Sequence, residues 1–332
     1  MNLSPASRST SPALLTTYIA LALAVLFWGS SFPATKMVLR GFPPMAYVFL
    51  RFAGASIFFG LFLLRRRRPL SRRTHAKLAL MALFEPVLYF AFESIGMQFT
   101  SASSASIIIA AVPAVVALLA GVFLAERLSL REWSGVALSV VGVILLAAFD
   151  DNPDYASSSL TGNLLILGAV FSAALYMIIA RHLSAEVTTM ELTSYQVVYG
   201  GVIFFPIFLL RLPAVRWEAV GPDSILALLF LIIFATLVAF FSYNFALSRI
   251  TASRAAVFLN GIPVVSVLVS ATLLGERLGE LQLFGGAVVI IGVTMTNLRR
   301  TSRSRRRSEE RAKQKVERRE ENRGDRRPVP PA

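Results

Sequence analysis

Apolar runs of about 20 residues, the length that crosses a hydrocarbon core, alternate along the chain with short polar breaks. Ten such runs fall at 15–37, 44–64, 78–98, 102–124, 134–149, 162–181, 191–212, 224–247, 253–274 and 282–298. The fifth and tenth are the shortest. The pattern predicts an all-α integral membrane protein with ten transmembrane helices. An even number of crossings places both termini on one side of the bilayer.

Composition agrees with the pattern. Apolar residues make up 55% of the 332 and charged residues 16%, where a soluble domain carries roughly a quarter charged. With a mean hydropathy of +0.65, the chain is neither a disordered protein nor a water-soluble globule. It has no cysteine, which removes disulfides, thiolate metal sites and cysteine nucleophiles. His75 and His182 are too few for most histidine-based sites, so neither a metal nor a cofactor is expected.

The net charge of +14 is concentrated in two places. From Arg299 onward there are 14 Lys/Arg against 6 Asp/Glu, and Arg65 to Lys77 holds 7 basic residues and no acid. Among the short loops, the N-terminal side carries 13 basic residues and the other side 4, namely Arg40, Arg211, Arg216 and Arg277. Basic loops stay in the cytosol, so both termini are expected there, with the acidic loop from Asp150 to Asp154 outside. The expected location is the plasma (bacterial inner) membrane. Arg65–Arg73 and Arg299–Arg307 are expected against anionic headgroups. The mixed tail cannot bury an apolar face and reads as solvated and disordered. It is not read as a nucleic-acid site. Arg8 before the first apolar run imitates a signal peptide, but that run is long for one and carries Trp28, Pro33 and Lys36 with no clear cleavage site.

Ser101–Val143 matches Thr251–Val293 without a gap at an offset of 150 residues. Pro113 falls on Pro263, Glu126-Arg127-Leu128 on Glu276-Arg277-Leu278, Gly135 on Gly285 and Gly142 on Gly292. The preceding segments align more loosely at an offset near 145, with Lys36 on Arg181 and Arg51 on Gln196. Five spans per unit is odd, so the second copy must enter the membrane inverted. The expected organisation is a cytosolic segment 1–14, a first repeat 15–149, an external acidic loop 150–161, a second repeat 162–298 and the basic tail 299–332. Inverted repeats place a substrate site near the midplane, where the copies rock between two accessibilities.

Several motifs resemble the EamA-type family of the drug/metabolite transporter superfamily. They are Trp28-Gly29-Ser30-Ser31-Phe32-Pro33-Ala34-Thr35-Lys36, Arg51-Phe52, the segment from Phe92-Glu93 to Ser103, and the paired Pro…Glu-Arg-Leu…Gly…Gly blocks. The resemblance covers Tyr18 to about Leu298, and the second copy departs from it with Ala173 where Trp28 aligns. It implies a ten-helix carrier of small metabolites and leaves the substrate open.

Ionisable groups inside spans are costly and mark functional sites. Lys36, Arg51, Glu85 and Glu93 qualify, and Lys36 is close enough to the outer surface to snorkel. At a rise of 1.5 Å per residue, Arg51 and Glu93 lie about 10 and 8 Å below the outer boundary, level enough to pair. On the same count Glu85 lies about 20 Å deep with no basic residue at its level. A lone buried carboxyl that loads and releases a proton is what proton coupling requires, so Glu85 is the coupling candidate; a structural role beside Pro86 is the alternative. Cavity candidates are Trp28, Phe32, Arg51, Tyr89, Glu93, Tyr176, Tyr195, Gln196, Tyr243, Asn244 and Asn260. Pro33, Pro113 and Pro263 are candidate helix breaks or hinges, and Gly200-Gly201 reads as a close helix contact.

The sequence carries no phosphate loop, His-Glu-x-x-His or Gly-x-Ser-x-Gly motif. The reading is a secondary transporter that exports a small, amino-acid-like metabolite by alternating access, with no enzymatic role and a homodimer left open. The alternative is a polytopic membrane enzyme acting on a lipid-linked substrate.

Overall fold

The computed structural model describes residues 12–65, 69–123, 130–148, 159–276, 279–281, 283–292 and 294–295. The expectations for the N-terminal segment, the acidic loop, Glu126-Arg127-Leu128 and the basic tail lie outside these residues. Among those described there are helices and no strands. We number them α1 (Pro12–Leu39), α2 (Pro44–Leu64), α3 (Arg72–Gly96), α4 (Ala102–Leu119), α5 (Leu130–Ala148), α6 (Ser159–Leu183), α7 (Thr189–Arg211), α8 (Pro222–Arg249), α9 (Arg254–Leu273) and α10 (Leu283–Gly292). Eight of them are long and apolar enough to span a bilayer; the others are α5 and the shorter α10. The outward faces are apolar, with Leu64 and Leu210 more than 80% exposed, as lipid contact requires.

Helix ends follow capping more closely than hydropathy. The basic segment expected as a loop up to residue 77 instead enters α3 at Arg72, because Ser71 Oγ accepts the Thr74 N–H at 3.1 Å. Charged side chains on a first turn can reach the headgroups, so they do not end the helix. At α7, Thr188 and Glu191 form a reciprocal capping box, satisfying two orphan donors of the first turn.

Two helices of each half are interrupted. In α3 the segment Leu83–Leu88 is π-helical, with Glu85 extended at φ −146°, ψ 112° and the Glu85–Pro86 peptide bond cis. In α8 the segment Leu231–Val238 is also π-helical. α4 is broken by a turn at Ala110–Ala111 and α9 by a 3₁₀ turn at Leu259–Gly261. Pro113 and Pro263 each follow a break, where a missing N–H costs nothing. Pro33 does not break α1, which runs through it as one helix. There the hydroxyls of Ser30 and Ser31 donate to the carbonyls of Leu26 and Trp28.

Packing runs mainly between the halves. α2 lies along α7, α1 against α8 and α9, α6 against α3 and α4, and α4 against α9. These pairings are reciprocal: exchanging the halves returns the same set. α5 meets α10 at Gly142, where a Cβ would stand 2.6 Å from the Val289 nitrogen. The expected close contact at Gly200 is present too, with Pro86 and Phe52 of the α3 and α2 helices against it. Small residues of this kind let backbones approach where lipid gives no hydrophobic drive.

Candidate functional site

Interrupting a helix releases backbone carbonyls, which inside a membrane must find other donors. At the α8 break, the Ala235 carbonyl accepts from Trp28 Nε1 at 3.1 Å and from Arg51 Nη2 at 3.2 Å. Arg51 Nε donates to Thr236 Oγ1 at 2.7 Å, and that hydroxyl donates in turn to the Leu231 carbonyl at 2.8 Å. At the α3 break, the Glu85 carbonyl accepts from Gln196 Nε2 at 3.1 Å. Arg51 and Gln196 occupy aligned positions on α2 and α7. Each therefore reaches across to the broken helix of the opposite half.

Between the breaks lies a cavity of about 30 Å³, walled by Trp28, Ser31 and Phe32 of α1, Arg51 of α2, Glu85, Tyr89, Phe90 and Glu93 of α3, and residues of α4, α6 and α9. That volume holds one or two waters and no metabolite, so the site is closed in this conformation. Its lining has a pattern. At the 145-residue offset Trp28, Ser31 and Phe32 align with Ala173, Tyr176 and Met177; at 150, Ile109 and Val112 align with Leu259 and Ile262. All ten line the cavity, so aligned positions of both halves contribute to its wall. The ionisable groups break the pattern, for Arg51, Glu85 and Glu93 all come from the first half.

Seven predicted residues thus meet at one site: Trp28, Phe32, Arg51, Glu85, Tyr89, Glu93 and Tyr176. Three more form a layer behind it. Asn244 accepts from Tyr176 Oη at 2.5 Å and donates to Gln196 Oε1 at 2.9 Å and Thr193 Oγ1 at 3.0 Å. Tyr243 is buried with its hydroxyl on the Met177 sulfur and its ring 5.0 Å from Trp28. Asn260 sits in the α9 break, its buried Oδ1 without a partner. Tyr195 lies elsewhere, its ring 5.0 Å from His75 and 5.7 Å from Tyr199.

Two expectations about the charges are corrected. Arg51 and Glu93 do not pair directly: among the described residues the ion pair is Lys77–Glu186, while Arg51 spends its Nε and Nη2 donors on α8. Glu93 Oε2 accepts long hydrogen bonds from Tyr47 Oη (3.3 Å) and Ser94 Oγ (3.5 Å). Nor does Glu85 lack a countercharge, since Arg51 lines the same cavity and acts on it electrostatically. Counting depth by backbone position missed that both side chains reach the same cavity.

Sequence reasoning missed Tyr47, Thr236 and the Ala235 carbonyl, which fix Arg51 and Glu93. Tyr47 and Thr236 carry only a hydroxyl and look like packing residues; Ala235 carries no side-chain signal.

The Glu-Arg-Leu block acquires a role in the second half. Glu276, in the loop after α9, accepts from the backbone N–H groups of Ala102 and Ser103 at 3.0 Å each and from Ser103 Oγ at 2.8 Å. It caps the first turn of α4 in the opposite half.

Comparison with known proteins matches the model of the EamA-like transporter family twice, over 15–148 and 160–298. An uncharacterized transporter of Archaeoglobus fulgidus is 30% identical, over 85% of this chain and 99% of its own. The uncharacterized transporter YcxC of Bacillus subtilis is 31% identical, over 87% and 95%. A probable terminal-alkyne amino-acid exporter of Streptantibioticus cattleyicolor is 29% identical, over 86% and 95%. A crystal structure of a protein 20% identical shares the fold at a TM-score of 0.60, over 87% of this chain and 98% of that one.

Proposed function

The chain belongs to the EamA-like transporter family, and from that premise we propose that it exports a small amino-acid-like metabolite by alternating access. It is a multi-pass membrane transporter. In the proposed arrangement the two five-helix copies are inverted, with both termini in the cytosol and the bacterial inner membrane as the location. The observation that carries this reading is the closed cavity between the copies, whose apolar walls pair off by repeat while its charges come from one copy alone. Rocking one copy against the other opens such a site to either side without moving its floor. The reciprocal packing of the copies and the hydrogen bonds that cross between them at both helix breaks support the same arrangement.

The amino-acid-like cargo is supported by the presence of both charge signs in the cavity and by the kinship with a probable amino-acid exporter. Glu85 is proposed as the group that carries a coupling proton. It is 5% exposed, faces the cavity from the α3 break, and its carboxylate accepts no hydrogen bond among the described residues. This cycle needs no covalent chemistry. The test is reconstitution of the full chain in liposomes with labelled amino acids, nucleosides and sugars, with and without a pH gradient. Accumulation of an amino acid driven by the gradient is expected; failure of every compound to move would remove the reading.

A further inference from the structure

The arginine in the cavity has more donors than the protein uses. A guanidinium offers five N–H groups and stays charged at any physiological pH. Arg51 is 1% exposed, and its Nε and Nη2 bind Thr236 and Ala235, while its Cζ lies 4.5 Å from the centre of the Phe90 ring. Those contacts fix both the plane and the rotation of the group. Nη1 is left buried with no acceptor, an arrangement that is costly inside a membrane unless something arrives to satisfy it.

The opposite charge is presented in a similar way. Glu93 is 2% exposed, and both of its long hydrogen bonds fall on Oε2; Oε1 accepts none among the described residues. Glu93 and Arg51 line one cavity without touching. Glu85, Ser31, Tyr89 and Tyr176 share the wall, and its apolar stretch is formed by Ile109, Val112, Ala173, Met177, Leu259 and Ile262.

We propose that Arg51 Nη1 receives the carboxylate of a zwitterionic α-amino acid, that Glu93 receives its ammonium group, and that the α4, α6 and α9 wall takes an apolar side chain. This rests on the transporter reading and specifies what the site recognises. A zwitterion supplies each orphan with its complement and adds no net charge to a buried site. A plain amine leaves Nη1 unsatisfied, and a plain acid leaves Glu93 so. A site built to hydrogen-bond a group rejects analogues that lack it, because its own polar atoms are then stranded.

The test uses the full chain in proteoliposomes, with labelled leucine as the probe. Unlabelled leucine, its methyl ester, isoamylamine (the decarboxylated analogue) and 4-methylpentanoate (the deaminated one) serve as competitors. Leucine is expected to compete at least tenfold better than each of the other three. Arg51→Lys keeps the charge but loses the fork, and should bring the leucine-to-amine ratio toward one. If that variant does not fold, the competitor series on the unaltered protein decides alone. Equal competition by the ester or the amine would overturn the assignment of Arg51, and equal competition by the acid that of Glu93. Transport of nucleosides or sugars without any amino acid would overturn this inference and leave the transporter reading standing. No transport of any compound would remove both.

Discussion

Glu276 offers a direct handle on the cycle, because its carboxylate ties the second copy to the first turn of α4 in the first. The first N–H groups of a helix have no intrahelical partner. Ser101 Oγ satisfies the one at Ser104, and Glu276 takes those of Ala102 and Ser103 together with the Ser103 hydroxyl. Hydrogen bonds to a charged group contribute about 1.5–3 kcal/mol each when buried. Glu276 is only partly buried and water can replace part of the loss, so Glu276→Ala should cost about 2 kcal/mol in total, in the range of a lost helix cap. That energy belongs to the conformation in which the copies meet at this end. Removing it shifts the balance between closed and open by about 30-fold. Since the chain has no cysteine, a single Ser31→Cys in the cavity wall reports access. An impermeant thiol reagent applied from the external side should label it at least tenfold faster in the Glu276→Ala background. An unchanged labelling rate would show that the contact is a passive cap and not a gate.

Three further outcomes are expected. Single cysteines at Glu218 and Ser71 should react from outside and only after permeabilisation, respectively; the reverse would refute the proposed topology. Ala173→Trp restores the tryptophan that the repeat predicts and overfills a cavity of about 30 Å³, so transport should fall at least tenfold with the fold retained, whereas normal transport would place the substrate path elsewhere. Glu85→Gln keeps size and hydrogen bonding but cannot titrate, so gradient-driven uptake should vanish while substrate exchange survives; gradient-driven uptake at the normal rate would return Glu85 to a structural role.

Most of the helices were legible because a span must bury about 20 apolar residues in lipid, a demand that hydropathy reads directly. The duplication was legible from Pro113/Pro263 and the Glu-Arg-Leu blocks. The breaks were legible only where proline marks them, as at Pro86. The π segment Leu231–Val238 contains no proline or glycine, and nothing local distinguishes it from ordinary helix. That omission hid the hydrogen-bond partners of Arg51. Equal depth brings Arg51 and Glu93 to one level, yet the donors went to a carbonyl and a hydroxyl released by a break 184 and 185 residues away in the chain. Depth along straight rods also separated Glu85 from Arg51, yet both side chains line one cavity.

The duplication and the chemistry divide the labour of the molecule. Positions that must move alike in both copies are kept alike: the interrupted third and fourth helices, the glycine contact between the fifth helices, and the paired apolar walls. The polar positions proposed to meet the cargo are unlike. Arg51 aligns with Gln196, Trp28 with Ala173 and, continuing the 150-residue offset, Glu85 with Ala235 and Glu93 with Tyr243. Arg51 and Gln196 still perform the same structural task, each donating to the carbonyl at the break in the opposite copy. Of the two, only the arginine keeps a whole nitrogen, Nη1, without a partner once that task is done. Replacing Arg51 with glutamine would thus retain the cross-copy hydrogen bond yet remove the free Nη1, making both copies structurally competent and neither able to hold a carboxylate. In the proposed scheme selectivity arises in this way: one copy keeps a neutral version of the crossing contact, and the other gives the same contact a charge.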